Sequence, residues 1–408
     1  MDKKSPETLT TNTHKKPIEK KYATIVICLL IFAAILYFIF PYIWQCRNLK
    51  NYAEIQKIIA SFPDTINEPL NIPEKENGRY WFALAGLENK ETDKKYDKLI
   101  DFLKNNFPKS KIEDDTSKNS SITFKNTDAA VILKIYAADL ELLKKGSSCN
   151  FFQQEYSGKN TNFKHIVLCK ELNFMLARSF QQLYWIKAVC EINNNEYDKA
   201  AETIDESFKF AISFHRNHIL SDKKTMIPAM VEINLTSFPC NSLKYLLEKS
   251  NKSYPQLTET IKKVKKEFSD EEIKQVYDAE LTYILVITDG AINVKAKKEF
   301  KKGDCVYILF TGMPDISPQS WTDSAMIYIL SYWYRGMQHN LFENHKFITN
   351  YIDTKDPQIL DKIEKYNKPA HPFANFNTMG GNYIKVLKQF ETTQKKVNAL
   401  EKELENRL

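Results

Sequence analysis

The feature that most constrains this chain is an unbroken apolar run near its N-terminal end. Residues 23–40 read ATIVICLLIFAAILYFIF, without a charge or a strong helix breaker. Extended to Trp44, such a run at about 1.5 Å per residue can cross a hydrocarbon layer of roughly 30 Å. A helix packed on a globular core keeps a polar stripe, and this segment has none. Tyr22, Tyr37, Tyr42 and Trp44 stand where interfacial aromatics belong, and Pro41 falls where a helix can end cheaply. The expectation is one transmembrane helix at residues 22–44. A cleavable signal peptide would be shorter and followed by small residues. Here PYIWQC follows, and Ile43-Trp44-Gln45 does not suit lipoprotein processing at Cys46.

Flanking charge sets the expected orientation. Lys15, Lys16, Lys20 and Lys21 precede the run, whereas only Arg47 and Lys50 follow it closely. The positive-inside rule then makes residues 1–21 a cytoplasmic tail and places residues 45–408 outside the cytoplasm, in a periplasmic space. Of that exported part, residues 45–150 read as a membrane-proximal helical region and residues 151–408 as a helical-hairpin domain.

Composition narrows the fold. The chain has 408 residues, 43% of them hydrophobic and 12% aromatic, which is enough for a sizeable core and excludes wholesale disorder. Its 10 glycines are too few for a propeller or a phosphate-cradling loop architecture. The net charge of +7 arises from 58 basic against 51 acidic residues, and part of it is the N-terminal tail. Lysine-rich runs at 262–266 and 295–302 read as solvated helix faces or loops. A nucleic-acid surface would concentrate basic residues among stacking aromatics, so no nucleic-acid partner is expected.

Periodicity is helical almost throughout. Tyr52, Ile55, Ile58, Ile59 and Phe62 form one stripe, halted by Pro63-Asp64. Asn77 reads as the N-cap of a helix carrying Tyr80, Trp81, Leu84 and Leu87. Tyr96, Leu99, Ile100 and Leu103 mark a third helix, residues 108–128 a polar loop, and residues 128–143 a strong helix. A long stripe runs through Leu168, Leu172, Met175, Leu176, Ser179, Leu183, Ile186 and Ala188. The turn Asn194-Asn195-Glu196-Tyr197 follows, and then a helix with Ala200, Ala201, Ile204, Phe208, Ala211 and Ile212. Residues 195–200 are similar to the G-D-Y-x-x-A junction of a tetratricopeptide repeat, although no second copy recurs at about 34 residues. Further helices are expected at 225–249, 256–267, 270–288, 321–352 and 376–407. TYILVIT at 282–288 and CVYILFT at 305–311 leave room for one small β-hairpin as the alternative to continued helix.

Chemistry-bearing residues are dispersed. His215 and His218, three apart, would share one helix face, as would His339 and His345 with Glu343 between them; neither pair brings a further ligand in register. His371 beside Pro372 fits loop architecture. No nucleophile elbow, H-E-x-x-H or P-loop occurs. Tyr328, Tyr332, Trp333 and Tyr334 fit a core face better than a ligand groove. Cys149, Cys169, Cys190, Cys240 and Cys305 lack metal-like spacing; an exported domain permits a disulfide from Cys149 to a later partner, and buried thiols are the alternative. No catalytic, metal or cofactor residue is assigned.

The order of pieces resembles a group of uncharacterised, single-span, membrane-anchored helical proteins of Planctomycetes and related bacteria. The residues that carry it are Asn77-Gly78-Arg79-Tyr80-Trp81 and the cysteine turn Gly146-Ser147-Ser148-Cys149-Asn150-Phe151-Phe152. The Asn-Asn-Glu-Tyr hairpin, Ala279-Glu280-Leu281-Thr282 and His371-Pro372-Phe373 complete the pattern. The resemblance implies a mainly α fold with an N-terminal transmembrane helix and a helical-hairpin, TPR-like ectodomain; it implies no reaction. The expected role is an interaction or scaffold module in a cell envelope, with a protein partner and a membrane contact through residues 22–44. An envelope enzyme with dispersed residues and a component of a secretion or pilus assembly are the alternatives.

Overall fold

A helix without a polar side organises the structure. Between Phe174 and Asn193, Leu176, Ala177, Phe180, Leu183, Tyr184, Ile186, Val189 and Ile192 are buried on several faces, so neighbours must surround this segment. The structure, a computed structural model, describes residues 22, 24–32, 51–61, 72–88, 94–106, 126–152, 172–214, 226–292, 321–366 and 378–408. The fold is mainly α, with no strand among the described residues.

In chain order the helices are α1 (Tyr52–Ala60), α2 (Gly78–Leu84), α3 (Lys94–Asn106), α4 (Asn126–Ile135), α5 (Ala137–Ser147), α6 (Phe174–Asn193) and α7 (Tyr197–Ser213). There follow α8 (Met226–Lys249), α9 (Pro255–Glu267), α10 (Asp270–Ile292), α11 (Trp321–Thr354), α12 (Pro357–Tyr366) and α13 (Thr378–Glu405). A single 3₁₀ turn, Glu74–Glu76, leads into α2. The chain divides into two compact units, residues 1–54 with 291–339, and residues 55–290 with 340–408. Within the first, the described residues are 22, 24–32, 51–54 at the start of α1, 291–292 at the end of α10 and 321–339 of α11.

The single-pass expectation is corrected here. Among the described residues, no helix is long and apolar enough to cross a membrane. Described helix in the apolar run covers residue 22 and residues 24–32. The span at 22–44, the cytoplasmic tail and the periplasmic placement built on it are therefore not supported. Residues 33–50 lie outside the described residues.

In the second unit, α6 and α7 form an antiparallel hairpin, and α8 packs against both. The hairpin turn is a Schellman motif. The Asn195 N–H donates to the Ile192 carbonyl at 3.0 Å, and the Glu196 N–H reaches the Glu191 carbonyl at 2.8 Å. That motif needs a left-handed residue, and Asn195 supplies it with φ of 60°. The Tyr197 hydroxyl donates to Asn195 Oδ1 at 2.8 Å. Deeper in the hairpin, Gln181 and Ser207 bond reciprocally. The Gln181 amide donates to the Ser207 carbonyl at 2.9 Å, and the Ser207 hydroxyl donates to Gln181 Oε1 at 2.6 Å. Both side chains are buried, so the exchange satisfies polar groups that water cannot reach.

The α2–α5 segment and the α6–α7 hairpin share one core, in which Phe210 contacts the rings of Phe82 and Tyr184, and Tyr96 those of Tyr136 and Phe180. The helix expected over 128–143 is two helices. Tyr136 leaves helical geometry between α4 and α5, its buried ring stacking on Tyr96 with centroids 6.3 Å apart. On the other side of α8 lies α13, which also packs on α9 and α12. Phe390, Val397, Leu400 and Leu404 of α13 are buried as their spacing predicts. Residues 282–288 are helical within α10, which decides against the first arm of a hairpin; residues 305–311 lie outside the described residues.

Candidate functional site

Two sequence motifs far apart in the chain meet at the crossing of α2 and α5. Asn77 caps α2 by accepting from the Arg79 N–H at 3.1 Å. The next residue, Gly78, lies against Gly146, and the Gly78 N–H donates to the Phe151 carbonyl at 2.7 Å. Around this junction Phe152 packs on Phe82 with centroids 5.7 Å apart, and the Lys145 ammonium sits 5.2 Å from the Trp81 ring centre. The Trp81 indole donates to the Lys75 carbonyl at 3.0 Å, and the Cys149 thiol to the Lys145 carbonyl at 3.4 Å. Burial pushes the Cys149 thiol up from its ordinary value, with nearby Glu76 adding to the rise. Buried Arg79 donates to Glu88 at 2.5 Å. The junction fixes where the carboxyl end of α5 points.

That end forms one wall of a polar cleft of about 320 Å³. Lys144 and Ser147 come from α5 and Ser148 from its C-cap, Glu202, Asp205, Glu206 and Lys209 from α7, and Gln256 from α9. The four α7 residues recur at helical spacing and make a charged stripe beside the buried Ala200–Ile204–Phe208–Ala211 face. Asp205 is the anchor. It is only 2% exposed and accepts from Lys209 at 2.6 Å, Gln256 at 2.7 Å and Thr260 at 2.5 Å. A buried carboxylate held by three donors is fixed in position, and it ties α7 to α9. Across the cleft Lys144 pairs with Glu206 at 2.5 Å. The Glu206 carboxylate, by its hydrogen bond and its charge, holds the Lys144 ammonium above its usual range and outweighs the opposing effect of burial, with Glu141 and Glu202 adding smaller contributions. The Ser147 hydroxyl is buried and has no hydrogen-bond partner.

A second polar group sits at the start of α8. The Met226 N–H donates to Glu280 Oε2 at 3.0 Å, so a side chain of α10 caps α8. Burial raises the Glu280 carboxyl, and the Met226 bond opposes the rise. Beside it, burial raises the Tyr277 and Tyr383 hydroxyls, and the Tyr277 hydroxyl donates to the Tyr383 carbonyl at 2.7 Å.

The residues weighed from sequence alone scatter. His345 Nε2 lies 2.6 Å from Asp278 Oδ1, while Glu343 turns to Lys346 at 3.7 Å, so the 339–345 stretch does not converge. Among the described residues, no group of three or more His, Cys, Asp or Glu side chains is placed to hold a metal ion. His215, His218 and His371 lie outside the described residues, as do the side chains of Tyr328, Tyr332, Trp333 and Tyr334. The described cysteines, Cys28, Cys149, Cys190 and Cys240, are thiols, and Cys46, Cys169 and Cys305 are outside the description. Part of the 262–266 lysine run is not simply solvated: Lys262 pairs with Glu405 at 3.3 Å and Lys265 with Glu401 at 2.6 Å, joining α9 to α13. The α7 charge stripe was missed because charged residues at helical spacing usually mark plain solvent-facing surface. No protein family, no curated protein and no solved structure matches the chain.

Proposed function

We propose that this chain is a protein-interaction module, a TPR-like arrangement of helical hairpins that offers the α5–α7–α9 cleft to a segment of a partner protein. The observation that carries the reading is the construction of the cleft. Its polar side chains come from three helices, and its buried carboxylate, Asp205, is locked by three donors. A polar concavity on rigid helices is preorganised for recognition, because little side-chain freedom is lost when a partner docks. Stacked hairpins supply such surfaces generally.

Site-specific photo-crosslinking tests it. A benzophenone side chain at exposed Glu202 is expected to give one discrete protein adduct in the native host, and the same group at exposed Lys263 is expected to give none. Identical products from both positions, or no adduct at Glu202, would overturn the reading.

A further inference from the structure

We infer that the cleft receives a cationic side chain, a lysine or arginine of the partner segment, and that Lys144 is the resident cation this group displaces. The inference rests on the interaction reading above and gives its ligand a charge. Within the cleft, Lys209 neutralises Asp205 and Lys144 neutralises Glu206, leaving the Glu202 carboxylate in surplus. That surplus makes the local potential favour a positive charge.

Two further observations point to a ligand. Half-buried Ser147 lines the cleft, and its hydroxyl oxygen is screened from bulk water with no partner among the described residues, so it offers an acceptor not already in use there. A buried hydroxyl left unsatisfied costs free energy that an incoming N–H donor recovers. The two ends of the Lys144–Glu206 pair also differ in exposure. The lysine side chain is 49% exposed and the glutamate 15%, so the anion belongs to the wall and the cation can swing out to water. An incoming ammonium or guanidinium then takes the Glu206 carboxylate with no net loss of ion pairing. A guanidinium, with several donors in one plane, could serve Glu206 and Ser147 together.

The test uses the full chain and three synthetic peptides of equal length: one of alternating lysine and glycine, the same peptide fully lysine-acetylated, and one with glutamate for lysine. Calorimetric titration is expected to detect the lysine peptide alone. Glu206→Gln, and separately the exposed Glu202→Gln, should weaken binding by about tenfold for the wall residue and less for the rim residue. Lys144→Met should tighten it about threefold by removing the competitor. Thermal melting of each variant controls for folding, and Glu202→Gln, at an exposed position, keeps the test alive should Glu206→Gln unfold. Equal binding of the acetylated peptide, binding of the glutamate peptide alone, or no binding by any peptide overturns the inference. So does unchanged affinity in both glutamine variants, and weaker binding by Lys144→Met overturns the displacement step. The crosslink at Glu202 is read independently, so a partner captured there with no preference for cationic peptides leaves the interaction reading standing while this one fails.

Discussion

The carbonyl oxygen of Gly146 lies 2.6 Å from where Gly78 would carry a Cβ, and the Gly78 carbonyl lies 3.0 Å from the corresponding point on Gly146. The two backbones touch because neither residue has a side chain. A methyl group at Gly78 would also meet the Phe152 ring at 2.2 Å, and one at Gly146 the Phe82 ring at 2.6 Å. Gly78→Ala or Gly146→Ala is therefore expected to destabilise the fold by about 2–3 kcal/mol through overpacking, despite the better helix propensity of alanine. Urea titration followed by circular dichroism measures it, and a loss below half a kcal/mol at both sites would show that α2 and α5 can separate freely.

The left-handed backbone at Asn195 makes a graded prediction. Asn195→Gly keeps the conformation without strain and loses only the exposed bond from Tyr197, so stability should change by a few tenths of a kcal/mol. Asn195→Ala should cost about 1–2 kcal/mol, because a Cβ disfavours that region. Equal midpoints in denaturant for the two variants would count against the motif.

Gln181 and Ser207 form a closed exchange in the core of the hairpin. Ser207→Ala strands Gln181 Oε1 away from water and should cost about 1–3 kcal/mol. A double-mutant cycle with Gln181→Leu should return a coupling of roughly 1 kcal/mol or more, since the second change removes the stranded acceptor.

Glu280 gives a pH dependence whose sign is fixed by burial. Its folded-state pKa is raised above that of the unfolded chain, so the folded protein holds this proton more tightly. The contribution to stability is full below the unfolded-state value and is lost as pH rises through the folded-state value. Glu280→Gln retains an oxygen for the Met226 N–H and removes the buried charge, so the variant should melt higher than the parent at neutral pH, with the advantage vanishing near pH 4. Melting curves across that window decide it; an advantage independent of pH would place the cause elsewhere.

Cys240 is buried, and burial raises its thiol to about 12. Because the thiolate is the reactive form, iodoacetamide at neutral pH should modify Cys240 only through opening of the fold. Peptide mapping by mass spectrometry should show labelling at this position rising with urea along the global transition.

The helices were legible because each carries apolar residues at helical spacing, and the caps at Asn77 and the turn at Asn195 announced themselves by residue type. Which apolar residues face inward was harder to read. Of Tyr80, Trp81, Leu84 and Leu87, which marked α2, Leu87 is buried just past the helix end, yet Leu84 is exposed and Phe82 is the core residue within the helix. A helix of two turns is too short for periodicity to choose a face, and here Gly78 against Gly146 chooses it. The apolar run at 23–40 misled in a different way. Hydropathy reports what a segment would bury, and among the described residues no helix is long and apolar enough to cross a bilayer. The cleft was hidden because its members are charged residues that look solvated until α5 and α9 are laid beside α7.

The sandwiching of α8 has a consequence for how the chain acquires its structure. One side of α8 is met by the hairpin that precedes it, but the other waits for α13, just past whose end Arg407 donates to the Leu247 carbonyl across 160 residues of sequence. At synthesis rates of roughly 5–20 residues per second, the emerging polypeptide spends on the order of ten seconds or more with that apolar flank uncovered. The interval between making α8 and closing it is when this protein is most exposed to aggregation, and when a chaperone would find its largest foothold.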